Sequence, residues 1–194
     1  MRKLIVSEFI TLDGVVQAPG GTDEDRDGGF AHGGWTQPYW HDDIGKAFAA
    51  LMNDTDAFLL GRRTYLTHAQ AFEPMPPGDF FGDMMNAPAK YVVSKTLEKP
   101  IWRNTTVIRN DVVSAVRALK AQPGKNILTD GSSQLVPTLL ASDLVDQLHL
   151  LLFPLTLGGG KRIFPEGALR KFTLLEANPY PTGVVGLLYG RNAG

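Results

Sequence analysis

Short apolar runs alternate with segments of helical periodicity along most of the chain. The first run, residues 3–12, mixes β-branched and apolar residues with Ser7 and Glu8 and ends at the turn-forming pair Asp13-Gly14. This pattern predicts an opening strand, which we place centrally in a sheet. Further strands are predicted at residues 57–60, 90–94, 105–108, 126–130, 148–153, 172–176 and 184–189.

Helical periodicity fills several of the gaps between these strands. Asp42 and Asp43 can cap a first helix. Its predicted apolar face consists of Ile44, Ala47, Phe48, Leu51 and Met52. Further helices are predicted over residues 65–71, after the capping residue Asp111, and over residues 134–141.

Two stretches show no regular period. Residues 19–34 are dense in Gly and Asp, and we expect a long surface loop of the length that is usually functional or mobile. Residues 73–88 are rich in Pro and Gly, which predicts an irregular excursion or lid.

The order of these elements predicts an α/β fold with a mainly parallel central sheet covered on both faces. The last two strands are joined by a short connection, so they should form a C-terminal antiparallel hairpin. Ligands of such sheets bind beyond the carboxyl ends of the strands.

Composition narrows the class of protein. We expect residues 1–194 to form one domain with a substantial core. The hydrophobic fraction of 43%, the charged fraction of 20% and the net charge of −1 indicate neither disorder nor a nucleic-acid partner, and favour a soluble enzyme or small-molecule binder. The absence of cysteine excludes a disulfide, a thiol nucleophile and a Cys-type zinc site. No apolar run suits a signal peptide or membrane span, so we expect a cytoplasmic protein.

Three turns rich in cationic or N–H groups follow predicted strands. A strand that leads through a turn into a helix points free N–H groups and a positive dipole end at one place, which suits a phosphate. Three such turns at one sheet edge favour a ligand with several phosphates. They contain Gly61, Arg62, Arg63 and Thr64, then Ser94 and Lys95, and then Gly131, Ser132, Ser133 and Gln134.

Several sequence blocks resemble the dihydrofolate reductase-like family, especially the reductase domain of the riboflavin-biosynthesis deaminase-reductases. These blocks are TLDGVVQ, LLGRRTY, VVSK and TDGSSQLVPTLLASDLVDQLHLLLFPLTLGGGKRIF, and they span nearly the whole chain. The resemblance implies the three-layer fold of that family and NADPH as cofactor.

The resemblance also assigns residues to the two ends of NADPH. By match, the adenine-ribose phosphate belongs near Arg62, Arg63, Thr64, Ser94 and Lys95, with Gly61 at the start of this turn. The pyrophosphate belongs at Gly131, Ser132, Ser133, Gln134 and Leu135. The zinc-dependent deaminase half of the bifunctional enzymes has no counterpart here, since the chain has no cysteine.

The substrate end is less well defined by the sequence. Asp13, Asp43 or ordered water are candidates for the proton donor, although Asp13 also suits a plain turn residue. Trp35, Tyr39 and Trp40 can stack on a planar heterocycle or pack in the core. We expect no metal, because the His32 and His41 pair alone is a weak zinc signal.

The leading hypothesis is an NADPH-dependent reductase of a small planar heterocycle or carbonyl substrate. The family resemblance suggests 5-amino-6-(5-phosphoribosylamino)uracil as the substrate class. A non-catalytic nucleotide-binding or ligand-sequestering protein and a pterin reductase stay open as alternatives, and a homodimer stays open as the assembly.

Overall fold

One eight-stranded sheet runs through the protein in a computed structural model that describes residues 1–164 and 167–192. The strands lie side by side in the order β4-β3-β2-β5-β1-β6-β8-β7. Their bounds are β1 (Leu4–Thr11), β2 (Thr55–Gly61), β3 (Ala89–Val93), β4 (Thr105–Ile108), β5 (Asn126–Asp130), β6 (Gln147–Phe153), β7 (Phe172–Pro179) and β8 (Val185–Arg191).

The directions of the strands confirm the predicted α/β architecture. All pairings from β4 to β6 are parallel, and β1 lies in the interior of the sheet between β5 and β6. The C-terminal hairpin of β7 and β8 is antiparallel, and β8 also pairs with β6 in antiparallel fashion. The short connection through Tyr180, whose N–H donates to Val184 O at 2.8 Å, is what permits this hairpin.

Helices cover both faces of the sheet and make three layers. One buried cluster packs α4 (Val112–Ala121) and α5 (Leu135–Ala141) on one face of the sheet. A second cluster packs α1 (Asp42–Asn53), α2 (Arg62–Phe72) and α3 (Phe80–Asn86) on the other face. Across the two described ranges, no helix is both long and apolar enough to cross a lipid bilayer.

The helix α3 corrects the prediction that residues 73–88 are wholly irregular. The side chain of Asp79 accepts a hydrogen bond from Gly82 N–H at 2.8 Å and so caps this short helix. Two caps also differ from expectation. His41, and not Asp42 or Asp43, caps α1 through its Nδ1 atom. Ser132 and Ser133 were also candidate caps for α5 by residue type, but they give it no side-chain cap, and the carbonyl oxygen of Ser132 accepts from Leu135 and Val136 N–H instead.

The lengths of the central strands leave a cleft at their carboxyl ends. β5 lies between β1 and β2, and its last residue, Asp130, is paired with Ser7. β1 continues past that point to Thr11, which is still paired with β6. The sheet is therefore open between β1 and β2 beyond Asp130, and this is where strand order reverses and ligands are expected.

A buried lysine lies away from this cleft, on β3. Lys90 is fully buried, its Nζ atom donates to Asn86 O at 2.5 Å, and Nζ lies 4.5 Å from the centre of the Trp102 ring. Burial lowers the pKa of Lys90 from 10.5 to about 8, against the opposing effect of Glu73 and with a further lowering by Arg103.

We predict that Lys90 makes the free energy of unfolding depend on pH in the alkaline range. Between the folded pKa of about 8 and the unfolded value of 10.5, the unfolded chain binds the proton and the folded chain does not. Rising pH in this window therefore stabilises the fold, by up to about 1.4 kcal/mol for each unit of pKa difference. Urea unfolding across this window should show wild type gaining stability relative to Lys90→Met. Parallel profiles for these two proteins would contradict the prediction, and the exposed variant Lys99→Met should run parallel to wild type.

Candidate active site

A cavity of about 970 Å³ occupies the cleft between β1 and β2. It brings together all three turns that the sequence singled out, from strands that lie apart in sequence. Every residue predicted to bind the cofactor lines it, namely Gly61, Arg62, Arg63, Thr64, Ser94, Lys95, Gly131, Ser132, Ser133, Gln134 and Leu135.

The turn after β5 exposes a row of backbone N–H groups. Gly131 and Ser132 both have positive φ angles, of 74° and 82°, which bend the chain sharply before α5. Over the ranges that the structure describes, the N–H groups of Ser132, Ser133 and Gln134 have no protein acceptor. Successive free N–H groups at such a bend form an anion-binding concavity.

The hydroxyl of Ser132 joins this turn to the one after β2. Its Oγ atom accepts from Gly61 N–H at 2.8 Å and donates to Thr64 Oγ1 at 3.1 Å. Gly61 also lies close to Ser132, since a Cβ atom there would meet Ser132 Oγ at 3.3 Å. Ser132 therefore holds the turn after β2 and the turn after β5 at a fixed separation.

The turn after β2 starts an eleven-residue helix and carries two guanidinium groups. Arg63 forms an ion pair with Asp27, and both side chains are about half exposed. Arg62 has no ion-pair partner in the described part of the chain. The first N–H groups of α2 and the positive end of its dipole add to the attraction for an anion.

The third turn follows β3 and contributes one cation. The Oγ atom of Ser94 accepts from Leu97 N–H at 2.9 Å and from Thr96 N–H at 3.2 Å, which closes the turn. Lys95 is exposed at the rim of the cavity. Both acceptor sites of the Ser94 hydroxyl are therefore used, and only its hydroxyl proton is available to a ligand.

The long loop at residues 19–34 covers one side of the cavity. Pro19, Gly20 and residues 24–27 line it. Lys161 fixes the loop, because its Nζ atom lies 2.5 Å from Asp25 Oδ2 and 2.9 Å from Asp27 Oδ2. The loop therefore presents acidic groups to the same space that the arginines face.

The three aromatic residues predicted to bind substrate have different positions. Trp35 is buried, donates from Nε1 to Gln17 O at 2.8 Å and packs edge-to-face on Phe153. Tyr39 also packs on Phe153, with 6.1 Å between ring centres. Only Trp40 lines the cavity, where its ring meets Phe9 edge-on. The assignment of Trp35 and Tyr39 to substrate binding is therefore corrected to core packing.

Asp13 and Asp43, the predicted proton donors, both lie outside the cavity lining. The Thr11 hydroxyl lowers the pKa of Asp13, with help from the N–H groups of Gly158 and Leu157. A hydrogen bond from Lys46 lowers the pKa of Asp43, which lies on the solvent side of α1. Both are ionised acceptors that serve local structure, so neither has the position or the proton of an acid catalyst.

Three titratable residues in the cavity were missed by the sequence analysis. Glu8 on β1, His68 on α2 and Asp130 at the end of β5 all line it. His68 Nε2 lies 3.0 Å from Asp130 Oδ2. The sequence did contain a signal for two of them. Glu8 is a charged residue inside a strand predicted to be central, and Asp130 is a carboxylate at the carboxyl end of a predicted parallel strand.

The donor set of this cavity fits a dinucleotide with several phosphates. Free N–H groups, two arginines, a lysine and a helix start all face one space of adequate volume for such a ligand. Within residues 1–164 and 167–192, no three metal-ligating side chains are grouped to hold a metal ion.

Comparison with known proteins places this geometry in a family. YyaP of Bacillus subtilis strain 168, an uncharacterized protein, is 26% identical over 98% of this chain and 96% of its own length.

Two solved structures share the fold. One is a putative riboflavin biosynthesis protein from Shewanella sp. PV-4, with a TM-score of 0.68, 21% identity, and coverage of 98% of this chain and 99% of its own. The other is dihydrofolate reductase from Enterococcus faecalis complexed with NADP(H) and RAB-propyl, with a TM-score of 0.64, 16% identity, and coverage of 98% and 96%. The fold is thus dihydrofolate reductase-like. The sequence matches the RibD C-terminal domain over residues 2–186, and the chain belongs to the RibD C-terminal domain family.

Proposed function

We propose that the protein is an NADPH-dependent reductase of a small planar heterocycle or carbonyl compound. Family membership and the reductase-like fold support an oxidoreductase of the riboflavin-pathway or dihydrofolate reductase type. The single observation that carries the proposal is the meeting of three cation-rich or N–H-rich turns in one cavity.

NADPH, when bound, supplies a hydride from its reduced nicotinamide ring. The residues of this chain bind and orient it. The free N–H groups of Ser132, Ser133 and Gln134 suit the pyrophosphate, because backbone donors at a sharp bend match two adjacent anionic groups.

The cationic turns give a physical reason for NADPH over NADH. The extra phosphate of NADPH needs charged donors, and Arg62, Arg63 and Lys95 offer them at the far side of the cavity. Asp27 already pairs with Arg63, so the phosphate must replace that carboxylate to use both arginines.

The substrate end lies towards Phe9 and Trp40. These two rings line the cavity from the β1 side, and a planar heterocycle can pack against the exposed face of Trp40. Family membership makes 5-amino-6-(5-phosphoribosylamino)uracil the first substrate to test.

We predict that the arginines select the phosphorylated cofactor. Arg62→Ala and Arg63→Ala should each weaken NADPH binding about tenfold, the value of one charge-assisted phosphate contact, and leave NADH binding nearly unchanged. Intrinsic fluorescence can report the titration because Trp40 lines the cavity.

Arg117→Ala is the matched control, since Arg117 is exposed on α4 and does not line the cavity. Equal losses for NADPH and NADH in the two arginine variants would contradict the assignment of the phosphate. No saturable NADPH signal in wild type would contradict the cofactor itself.

We predict a different pattern for the glycine turn. A Cβ atom on Gly131 would meet Thr64 Cγ2 at 3.2 Å and would occupy a φ of +74°. Gly131→Ala should therefore distort the turn and weaken NADPH and NADH together, about tenfold or more.

Gly78→Ala is the control for backbone strain, because it introduces a similar strain at a residue that does not line the cavity. Gly78 has a φ of +91° with nothing within 4 Å of the added Cβ atom. It should lose stability, by about 1 kcal/mol, without losing cofactor affinity. Similar affinity loss in both variants, measured by the same titration, would show that the turn does not hold the cofactor.

The rival proposal is a protein that binds the nucleotide without turnover. Substrate-dependent loss of the reduced nicotinamide absorbance, across pyrimidines, pterins and carbonyl compounds, separates the two. NADPH binding with no turnover of any compound would favour the sequestering protein. The homodimer that the sequence leaves open as the assembly stays a prediction.

A further inference from the structure

Glu8 is an acidic side chain in an unusual position. It lies near the middle of β1, between the apolar residues Val6 and Ile10 of the same face, and is only 4% exposed. It nevertheless lines the cavity. Its Oε1 atom is buried and, among the residues described, has no hydrogen-bond partner.

Such a group costs stability. A buried carboxyl without a cation or hydrogen-bond donor is strongly disfavoured in its ionised form. Burial raises the pKa of Glu8 well above its ordinary value of 4.5, and the charge of Asp130 raises it further. Burial and Asp130 therefore both favour the neutral, protonated form of this side chain over its ionised form.

Among the described residues, the charged group that acts on Glu8 is Asp130 of β5, which raises its pKa. His149 of β6 is paired with the neighbouring residue Ser7, and its Nδ1 atom lies 3.1 Å from Ser7 Oγ. Burial lowers the pKa of His149. From α2 His68 faces Asp130 at 3.0 Å, and Arg62 and Arg63 lie at the start of that helix. α5 contributes only the uncharged Leu135 and Thr138 to the cavity lining.

Glu8 lines the cavity from β1, on the face of the sheet that also carries Val6 and Ile10. The ring of Phe9, which meets Trp40, lies on the opposite face, because side chains alternate along a strand. The other neighbour, Ser7, pairs with Asp130 directly before the glycine turn, so Glu8 reaches the cavity near that turn. No other carboxyl group lining the cavity is comparably buried within the described chain, since Asp130 and Asp25 are partly exposed and Glu24 and Asp27 are exposed.

We propose that Glu8 is the catalytic proton donor, which protonates the heteroatom beside the carbon that accepts the hydride. This role rests on the proposed reductase function. Glu8 replaces Asp13 and Asp43 as the candidate proton donor, because those two residues lie outside the cavity lining.

The step balances for a C=N or C=O acceptor. The carbon receives a hydride, with its two electrons, from reduced nicotinamide, and the π electrons of the double bond move to nitrogen or oxygen. That atom takes the proton from the Glu8 carboxyl group, so an amine or alcohol and oxidised nicotinamide form. Glu8 is left as a carboxylate and regains a proton from water.

The first test measures stability and needs no ligand. Above pH 4.5 the unfolded chain ionises at Glu8 while the folded chain stays protonated, so wild type loses stability as pH rises towards the folded pKa. Glu8→Gln cannot ionise at this position, so it should not lose stability in this way as pH rises. It should match wild type at low pH and melt several °C higher at neutral pH, as should Glu8→Met, which adds no polar hydrogens.

Glu98→Gln is the control for charge removal alone, because Glu98 is exposed and does not line the cavity. Its melting temperature should follow wild type at every pH. If both Glu8 variants melt lower than wild type at neutral pH, Glu8 has a structural partner and the proposal is overturned.

The second test measures NADPH affinity and turnover of 5-amino-6-(5-phosphoribosylamino)uracil. Glu8→Gln should keep NADPH affinity within about twofold and lose kcat about a hundredfold or more, the usual contribution of a positioned acid. The fall of the wild-type rate at high pH should also be absent from any residual activity of the variant.

The outcomes separate the two proposals. Turnover by wild type with kcat unchanged in Glu8→Gln would overturn the donor role and leave the reductase standing. No turnover of this probe by any variant, wild type included, would contradict the proposed substrate class and withdraw the donor role with it.

Discussion

The fold of the site depends on the hydroxyl group of Ser132. This single oxygen accepts from Gly61 N–H and donates to Thr64 Oγ1, and so joins the turn after β5 to the turn after β2. It does so from a residue with a φ of 82°, a conformation that costs a non-glycine residue about 1 kcal/mol or more. The hydrogen bonds and the packing of α5 offset that strain. The turn that carries the free N–H groups of Ser132, Ser133 and Gln134 is therefore held in place at the cavity wall before any ligand binds.

The charges of the cavity are divided between its two ends. Arg62, Arg63 and Lys95 lie on the β2 and β3 side, where the sheet presents helix starts and turns. Glu8 lies on the β1 side, where the same cavity is walled by apolar residues and by Asp130. No cation of the turns lowers the pKa of Glu8, and at the arginine end Asp27 is paired with Arg63. The same cleft can therefore offer cations to a polyanion while the protonated form of a buried carboxyl group stays favoured.

Much of this arrangement could be predicted from the sequence, and the failures have physical causes. Periodicity located the eight strands because each is bounded by turn residues, and residues 105–108 and 126–130 were placed with the observed bounds. The glycine and arginine turns were predicted because the donor groups of each turn come from consecutive residues of the sequence. Glu8 was missed because its meaning depends on burial, which arises from β5 and β6 on either side of β1. Asp13 and Trp35 were misassigned because their partners, Leu157 and Phe153, are more than a hundred residues away in sequence.

We propose that the opening beyond the end of β5 holds the phosphates of NADPH. A crystal structure of the protein with NADPH is the decisive experiment. We expect pyrophosphate oxygens at hydrogen-bond distance from the N–H groups of Ser132, Ser133 and Gln134, the extra phosphate at Arg62, and the nicotinamide ring towards Glu8. A dinucleotide bound outside this cleft, or bound with its phosphates at the Phe9 and Trp40 end, would contradict it.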